Sequence, residues 1–353
     1  MPGGATSACG PAPEDAAPTP GGTAPRTPRP GTRSGRAEAW AELLRLPALF
    51  TVPGDALAGA AATGARPGHR TLLAIGSSLC LYQAGMVLND WADRAEDAEE
   101  RPHRPIPSGR IRPSAALTAA CALTGAGLAL AAAAGRPALA VATPLAATVW
   151  AYDVTLKHTP AGPAAMAAAR GLDLLLGAAA GAGPVRAALP SAALLSTHTL
   201  AVTAVSRQET RGGSSLRPLA ALATTGMLTG LLTGLVGAHR RPRLPAGRRA
   251  AAAPGLPGPT PAHRPRHLTD HLATALGAAY AATAARPYLH AVLNPSPPLT
   301  RRAVGGGIRA TVPLQAALAA RSGSAVTSLL VAALAPAGRR FAGRTSMRQV
   351  SIT

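Results

Sequence analysis

Long apolar stretches separated by short polar segments are the dominant pattern along this chain. Most of them reach roughly 17–25 residues, the length that an α-helix needs to cross a bilayer. The pattern predicts nine helices, near residues 38–63, 70–92, 113–134, 137–156, 162–183, 187–206, 216–238, 267–288 and 309–337. The first is the weakest, because Pro53 and Asp55 lie in its middle. We therefore expect an all-α fold, a polytopic membrane bundle of about nine transmembrane helices.

The polar segments define the predicted domain boundaries. Residues 1–36 are rich in Pro, Gly, Thr and Ala, a composition that buries too little apolar area to offset the entropy of ordering, so we expect a disordered tail. Residues 37–338 form the predicted membrane domain, and 339–353 a basic C-terminal tail. Within the domain, the Pro- and Arg-rich stretch 239–266 and the Gly-containing stretch 293–307 are predicted to be loops.

The composition supports a membrane protein over a soluble one. Only 14% of the residues are charged, against about 25% in a typical soluble domain. The net charge of +20 comes almost entirely from arginine, because Lys157 is the only lysine. Together with abundant Ala, Gly and Pro, this indicates compositional bias. Basic patches interleaved with aromatic residues, which stack bases, are absent, so we predict no nucleic-acid partner.

The acidic residues are concentrated at one place. Six of the 15 acids lie between residues 90 and 100. Asp90, Asp93 and Asp97 are spaced by three and four residues, which puts them on one face of a helix. Crowded carboxylates repel one another and need a cation, and all-oxygen ligation suits Mg²⁺. The alternative from the residues alone is a solvated acidic helix end, balanced by Arg94 and Arg101.

The sequence that follows these acids carries a family resemblance. Residues 89–97 resemble the NDxxDxxxD motif of the UbiA prenyltransferases, and residues 101–110 resemble their RPxRPxPSGR continuation. The resemblance extends from about residue 38 to the C-terminus and implies the UbiA-like fold. It also implies a Mg²⁺ and diphosphate site, with Asn89, Asp90, Asp93 and Asp97 as metal ligands. Arg104 and Arg110 would contact the diphosphate, since guanidinium groups match phosphate oxygens.

A second polar cluster lies at the end of the fourth predicted helix. Asp153 and Lys157 are four residues apart on one face, next to Tyr152. They resemble the tyrosine-and-lysine pattern of the family, which implies that Lys157 contacts phosphate and acts with the three aspartates. The alternative is a surface ion pair of little energetic value. On the fifth helix, Arg170 and Asp173 are expected either to pair with each other or to bind substrate.

The chain departs from the family pattern after the sixth helix. UbiA prenyltransferases usually carry a second aspartate-rich motif there, but residues 206–213 contain only one acid, Glu209. One carboxylate is a poor cage for a second Mg²⁺. We expect Arg207 and Arg211 to bind pyrophosphate directly instead. On the eighth helix, His267, Asp270 and His271 share a face and either coordinate an ion or, as the favoured interpretation, line the membrane interface or the substrate entrance.

The resemblance implies a specific function. We expect Mg²⁺-dependent transfer of a polyprenyl group from an isoprenoid diphosphate to an unidentified acceptor, aromatic or quinone-type among the options. The protein is expected in the bacterial cell membrane among lipids. Its site would face the cytoplasm, since the loop after the second helix is rich in arginine, although the Arg-rich 239–266 loop contradicts this orientation.

Three other functions fit parts of the sequence. A non-catalytic lipid-binding or scaffold protein of the same fold is the main alternative, because the second aspartate-rich motif is reduced to one acid. A transporter is disfavoured by the absence of an obvious internal repeat. A CDP-alcohol phosphotransferase also uses clustered aspartates in membranes, but this chain lacks the Asp-Gly and Ala-Arg pattern of that family.

Overall fold

The computed structural model describes residues 33–45, 51–181, 183–207, 214–234 and 266–350, and within these ranges the chain is helical with no strand. The α-helices are α1 (Arg33–Leu43), α2 (Val52–Ala62), α3 (His69–Ala92), α4 (Arg94–Glu100), α5 (Pro113–Ala134), α6 (Arg136–Ala151), α7 (Gly162–Ala179), α8 (Leu189–Ser206), α9 (Leu216–Leu232), α10 (Arg266–Leu293), α11 (Pro297–Arg321) and α12 (Ala325–Val350). A π-helix (Tyr152–Leu156) follows α6, and a 3₁₀-helix (Val185–Ala188) precedes α8. The predicted all-α class is confirmed.

The first predicted helix, 38–63, is two helices rather than one. Helix α1 ends at Leu43 and α2 begins at Val52. Pro53 lies in the first turn of α2, where the missing amide hydrogen removes no helical hydrogen bond. The proline that weakened the prediction therefore starts a helix. This break also places Asp55 in the first turn of α2.

The predicted loop 293–307 is wrong for most of its length. Helix α11 begins at Pro297 and passes through Gly305, Gly306 and Gly307. A Cβ on Gly306 would lie 2.8 Å from Cγ of Pro287 on α10. Gly306 and Gly307 thus allow close packing of α11 on α10 rather than forming a turn. The chain turns later, at Gly323, where φ is +81°, so the predicted helix 309–337 is divided between α11 and α12.

The predicted tails also need correction. Helix α1 begins at Arg33, inside the stretch 1–36 that was predicted to be disordered. Helix α12 continues to Val350, through most of the predicted basic tail 339–353. Most of the predicted 239–266 loop lies outside the described residues.

Among the residues that the structure describes, four helical segments are long and apolar enough to cross a membrane: 69–92, 113–134, 136–156 and 185–206. Two shorter apolar helices cover 216–232 and 325–338. The membrane character of the bundle follows from these segments, whereas the number of nine spans is not confirmed.

Close packing of α2 on α7 fixes the inside of the bundle. A Cβ on Gly177 of α7 would collide with the backbone of Ala56, and one on Gly59 of α2 would collide with the backbone of Leu174. Small residues let the two backbones approach, as at interfaces between membrane helices. As a consequence, Asp55 on α2 lies against the polar residues of α7.

Candidate active site

The aspartate-rich motif lies where α3 ends and α4 begins. Asn89 and Asp90 are in the last turn of α3, Asp93 lies between the helices, and Asp97 is in the first turn of α4. The amide of Asp93 donates to the carbonyl of Asn89 at 3.0 Å, and the amide of Asp97 donates to the carbonyl of Asp93 at 2.8 Å. The two helices are therefore nearly continuous, and the motif is held by local backbone hydrogen bonds.

Asp90 and Asp97 share one arginine. Nη1 of Arg104 lies 2.7 Å from Oδ2 of Asp97 and 3.5 Å from Oδ1 of Asp90. Asp90 also accepts a 2.7 Å hydrogen bond from Arg45, which follows α1. Both carboxylates are buried, so these cations offset their mutual repulsion and their desolvation. The structure places Arg104, a predicted diphosphate contact, against Asp90 and Asp97, and it adds Arg45, which the sequence pattern did not indicate.

Asp93 contacts a different cation. Its Oδ1 lies 2.5 Å from Nζ of Lys157 and 3.6 Å from Nε2 of His158. Ligand atoms of Asp93, Glu96 and His158 all lie within 4.8 Å of one another. The three aspartates thus do not share one set of partners: Asp90 and Asp97 pair with Arg104, whereas Asp93 pairs with Lys157.

The π-helix brings the second predicted cluster to the motif. Asp153 accepts a 3.2 Å hydrogen bond from the side-chain amide of Asn89. Nζ of Lys157 lies 3.5 Å from the carbonyl oxygen of Asn89. Single-turn π-helices occur frequently at functional sites, where they redirect side chains. Lys157 therefore lies in the motif rather than in a separate surface ion pair.

Two arginines predicted to bind phosphate have other partners in the structure. Arg207 donates to the carbonyls of Lys157 and His158 at 3.4 Å, and also to that of Thr159. Arg110 pairs with Glu42 at 2.7 Å and donates to the carbonyl of His103 at 2.6 Å. Arg207 therefore holds the segment after the π-helix. Glu209 and Arg211 lie outside the described residues.

An apolar cavity of about 280 Å³ adjoins the motif among α3, α6 and α7. This volume is near the lower end of the range for small-molecule pockets. Five of the predicted substrate-binding residues line it: Asn89, Tyr152, Asp153, Arg170 and Asp173. The apolar part of the wall includes Leu81, Met86, Leu145, Val149 and Met166. Asn89 belongs both to the motif and to the cavity, so the two form one continuous site.

The end of the cavity away from the motif is polar. Arg170 does not pair with Asp173 as one prediction had it; its Nη1 lies 2.9 Å from Oδ2 of Asp55. Asp173 accepts a 2.5 Å hydrogen bond from the hydroxyl of Ser78. Gln315 donates to Asp55 at 2.6 Å. The lone acid within an apolar stretch was the sequence signal for Asp55, whereas nothing in the sequence indicated Gln315.

Comparison with known proteins identifies the family. The sequence profile of the UbiA prenyltransferase family matches residues 48–237, more than half of the 353-residue chain. The chain belongs to the UbiA prenyltransferase family. The match covers α2 to α9, and thus includes the motif, the π-helix and all of the cavity lining except Arg45.

Two relatives by sequence are archaeal proteins named digeranylgeranylglyceryl phosphate synthase. The one from Methanothrix thermoacetophila is 38% identical over 110 residues, 31% of this chain and 41% of the relative. The one from Natronomonas pharaonis is 30% identical over 168 residues, 47% of this chain and 61% of the relative. The chain therefore spans about half the length of the curated relatives it matches.

Solved structures confirm the UbiA fold. A UbiA homologue from Aeropyrum pernix aligns with a TM-score of 0.57 at 18% identity, over 76% of this chain and 96% of the homologue. A UbiA homologue from Archaeoglobus fulgidus, solved with GPP and Mg²⁺, aligns with a TM-score of 0.53 at 16% identity, over 85% of this chain and 99% of the homologue. At these identities the comparison establishes the shared fold.

Proposed function

We propose that this UbiA-family protein catalyses Mg²⁺-dependent transfer of a polyprenyl group from an isoprenoid diphosphate to an acceptor within the membrane. The observation that carries the proposal is the direct junction of the aspartate-rich helix end with an apolar cavity through Asn89. A diphosphate needs charged partners and an isoprenoid chain needs apolar walls. This site offers both within one continuous surface.

The donor atoms at the motif fit Mg²⁺. Asn89, Asp90, Asp93 and Asp97 would hold the ion, since carboxylate and amide oxygens are the hard ligands that it prefers. Among the described residues, the ligand atoms within 4.8 Å of one another are those of Asp93, Glu96 and His158, which include only Asp93 from this set. When bound, Mg²⁺ stabilises the negative charge of departing pyrophosphate.

The protein's own cations are placed to bind the diphosphate. Arg104 and Lys157 lie among the aspartates, and guanidinium and ammonium groups contact phosphate oxygens through charge-assisted hydrogen bonds. Arg45 lines the cavity and also contacts the motif. We place Asp90, Asp93, Asp97 and Lys157 at the reacting diphosphate, with Tyr152 and Asp153 facing the first part of the isoprenoid chain.

Similar proteins support the same chemistry. The Archaeoglobus fulgidus homologue was solved with GPP and Mg²⁺, and the archaeal relatives are named as synthases of a digeranylgeranylglyceryl phosphate. We also infer a location in the bacterial cell membrane with the motif on the cytoplasmic side. The support is the arginine-rich short segment after α3, since positively charged loops stay in the cytoplasm.

The test is product formation in membranes containing the full-length protein. Labelled geranylgeranyl diphosphate, Mg²⁺ and a panel of aromatic, quinone-type and glycerol-based acceptors are incubated, and both prenylated product and pyrophosphate are measured. We expect Mg²⁺-dependent release that is abolished by Asp90→Asn and retained by the control Asp270→Asn, an exposed acid on α10. Diphosphate binding without any turnover would instead indicate a non-catalytic lipid-binding protein.

A further inference from the structure

The cavity has two polar ends that are far apart. The outer end consists of Asn89, Tyr152 and Asp153, and the inner end consists of Ser78, Arg170 and Asp173. Ser78 and Asn89 are both on α3, and their separation of 11 positions corresponds to about 16 Å along the helix axis. The inner end therefore lies beyond the reach of a diphosphate bound at the motif, so its polar side chains are available to a different group.

We propose that the inner end binds an uncharged, hydroxyl-bearing group of the acceptor substrate. The inference rests on the proposed function, because it assigns a ligand group to the inner end of the same cavity. It specifies a chemical class for the acceptor: the part that enters the inner end carries hydroxyl groups and no phosphate or carboxylate.

The charge balance of the inner end disfavours a bound anion. Arg170 is the cation there, and Asp55 on α2, fully buried, already pairs with it at 2.9 Å. Asp173 adds a second buried carboxylate. The net charge of Arg170, Asp55 and Asp173 is zero if the two aspartates share one proton, and negative if both are ionised. A phosphate or carboxylate would have to compete with Asp55 for Arg170 and would be repelled by any ionised acid, at low dielectric.

The same groups suit hydroxyls. Asp173 accepts hydrogen bonds, Ser78 and Tyr82 carry hydroxyl groups, and all three line the cavity. A polar but uncharged ligand group would find both donors and acceptors here, which matters because an unmade hydrogen bond in a buried site is costly. The apolar wall between the two ends would accommodate the rest of the two substrates.

Hydrogen bonds and helix packing fix the position of Asp55 beside Arg170. The side-chain amide of Gln315 on α11 donates to Asp55 at 2.6 Å and to the carbonyl of Thr51 at 2.8 Å. The close packing of α2 on α7 through Gly59 and Gly177 fixes Asp55 against α7. Asp55 is therefore held beside Arg170, so a ligand that keeps this ion pair intact meets an already neutralised cation whose remaining N–H groups can donate to a hydroxyl oxygen.

The test compares two probes that differ only in a phosphate, 1-O-geranylglycerol and its 3-phosphate. Their dissociation constants are measured by microscale thermophoresis for the full-length protein in nanodiscs. EDTA is present so that divalent ions do not draw the phosphate to the motif. We expect the uncharged probe to bind the wild-type protein at least about tenfold more tightly, the size of the effect of one hydrogen bond to a charged group.

Two variants remove a negative charge from the inner end. Asp55→Asn keeps an oxygen that can accept from Gln315 but releases Arg170 from its ion pair, so the ratio of the two dissociation constants is expected to shift toward the phosphate probe by about tenfold or more. Asp173→Asn is expected to shift the ratio of the dissociation constants in the same direction. It takes the place of Asp55→Asn in the test if the Asp55→Asn protein does not fold. Asp270→Asn, the same chemical change at an exposed position, leaves the ratio unchanged.

Three results would overturn the inference: tighter or equal binding of the phosphate probe by the wild-type protein, no binding of either probe, or an unchanged ratio in both inner-end variants. Pyrophosphate release is measured on the same preparations with Mg²⁺ in place of EDTA. Loss of that release would count against the proposed function alone, whereas the shift of the probe ratio between the wild-type protein and the inner-end variants reports on the inner end.

Discussion

At the residue scale, Lys157 is unusual both as a residue type in this chain and in the burial of its side chain. It is the only lysine in a chain whose other basic residues are arginines, and its side chain is only 9% exposed. A buried ammonium group is costly unless it is paired, and Asp93 at 2.5 Å supplies the partner. The π-helix and the contacts of Arg207 to the following backbone carbonyls hold this lysine in place.

Replacing Lys157 by methionine tests its role as a diphosphate contact. We expect Lys157→Met to raise the KM for geranylgeranyl diphosphate by at least about tenfold, since one charge-assisted hydrogen bond is removed. Lys157→Arg should recover part of the affinity. Initial rates across diphosphate concentrations measure the effect, and Arg186→Met, at an exposed arginine, is the control. An unchanged KM in Lys157→Met would remove Lys157 from the substrate contacts.

The residues of the site differ in how far the sequence predicts them. The spacing of Asp90, Asp93 and Asp97, and the isolated Lys157, are local signals, and the structure gathers them at one helix end. Arg45 and Gln315 have no such signal, because their partners lie 45 and 260 positions away in the chain. Such pairs depend on how helices pack, which local periodicity does not specify.

At the scale of elements, glycines determine how closely the helices approach. The sequence places Gly305, Gly306 and Gly307 together, which predicted a loop, but all three lie within α11, and Gly306 and Gly307 face α10. A glycine signals either a turn or a close contact, and sequence alone does not separate the two. The π-helix after α6 is equally invisible in the hydrophobic pattern, although it places Asp153 and Lys157 in the site.

The contact of α2 with α7 can be tested by adding one methyl group. We expect Gly177→Ala to lower the stability by about 1–3 kcal/mol, as overpacking does in a well-packed interior. It should also reduce product formation, because Asp55 moves relative to Arg170. Thermal unfolding in detergent and initial rates measure the two effects.

Gly226→Ala on α9 is the matched control, since an added Cβ there meets nothing within 4 Å. Its stability should stay unchanged or rise by up to about 1 kcal/mol, the helix-propensity difference between alanine and glycine. Equal unfolding temperatures for the two variants would contradict the close packing of α2 on α7.

At the scale of the whole molecule, the described helices surround a cavity that has the charged aspartate-rich motif at its outer end. The helical class and the approximate order of apolar segments follow from the sequence, because the length of an apolar stretch is set by the bilayer. The breaks within predicted helices do not follow from it, since Pro53 and Gly323 act through turn and cap geometry. The cavity itself depends on side chains from three helices and has no sequence pattern.

Filling the cavity should stop the reaction without unfolding the bundle. Ala169 lines the cavity, and its neighbour Ala168 is exposed on the outer surface. We expect Ala169→Phe to lower product formation on the order of 100-fold, as displacement of bound substrate does, with the unfolding temperature largely retained. Ala168→Phe should leave the rate near that of the wild type. Equal rates for the two variants would show that the cavity is not the substrate site.

The most direct test of the aspartate-rich helix end is titration with Mn²⁺, a paramagnetic ion that oxygen ligands hold as they hold Mg²⁺. Electron paramagnetic resonance counts the bound ion in the presence of geranylgeranyl diphosphate. We predict stoichiometric binding to the wild-type protein and loss of that binding in Asp90→Asn and Asp93→Asn. Retention of full Mn²⁺ binding by both variants would contradict the assignment of the metal site to these carboxylates.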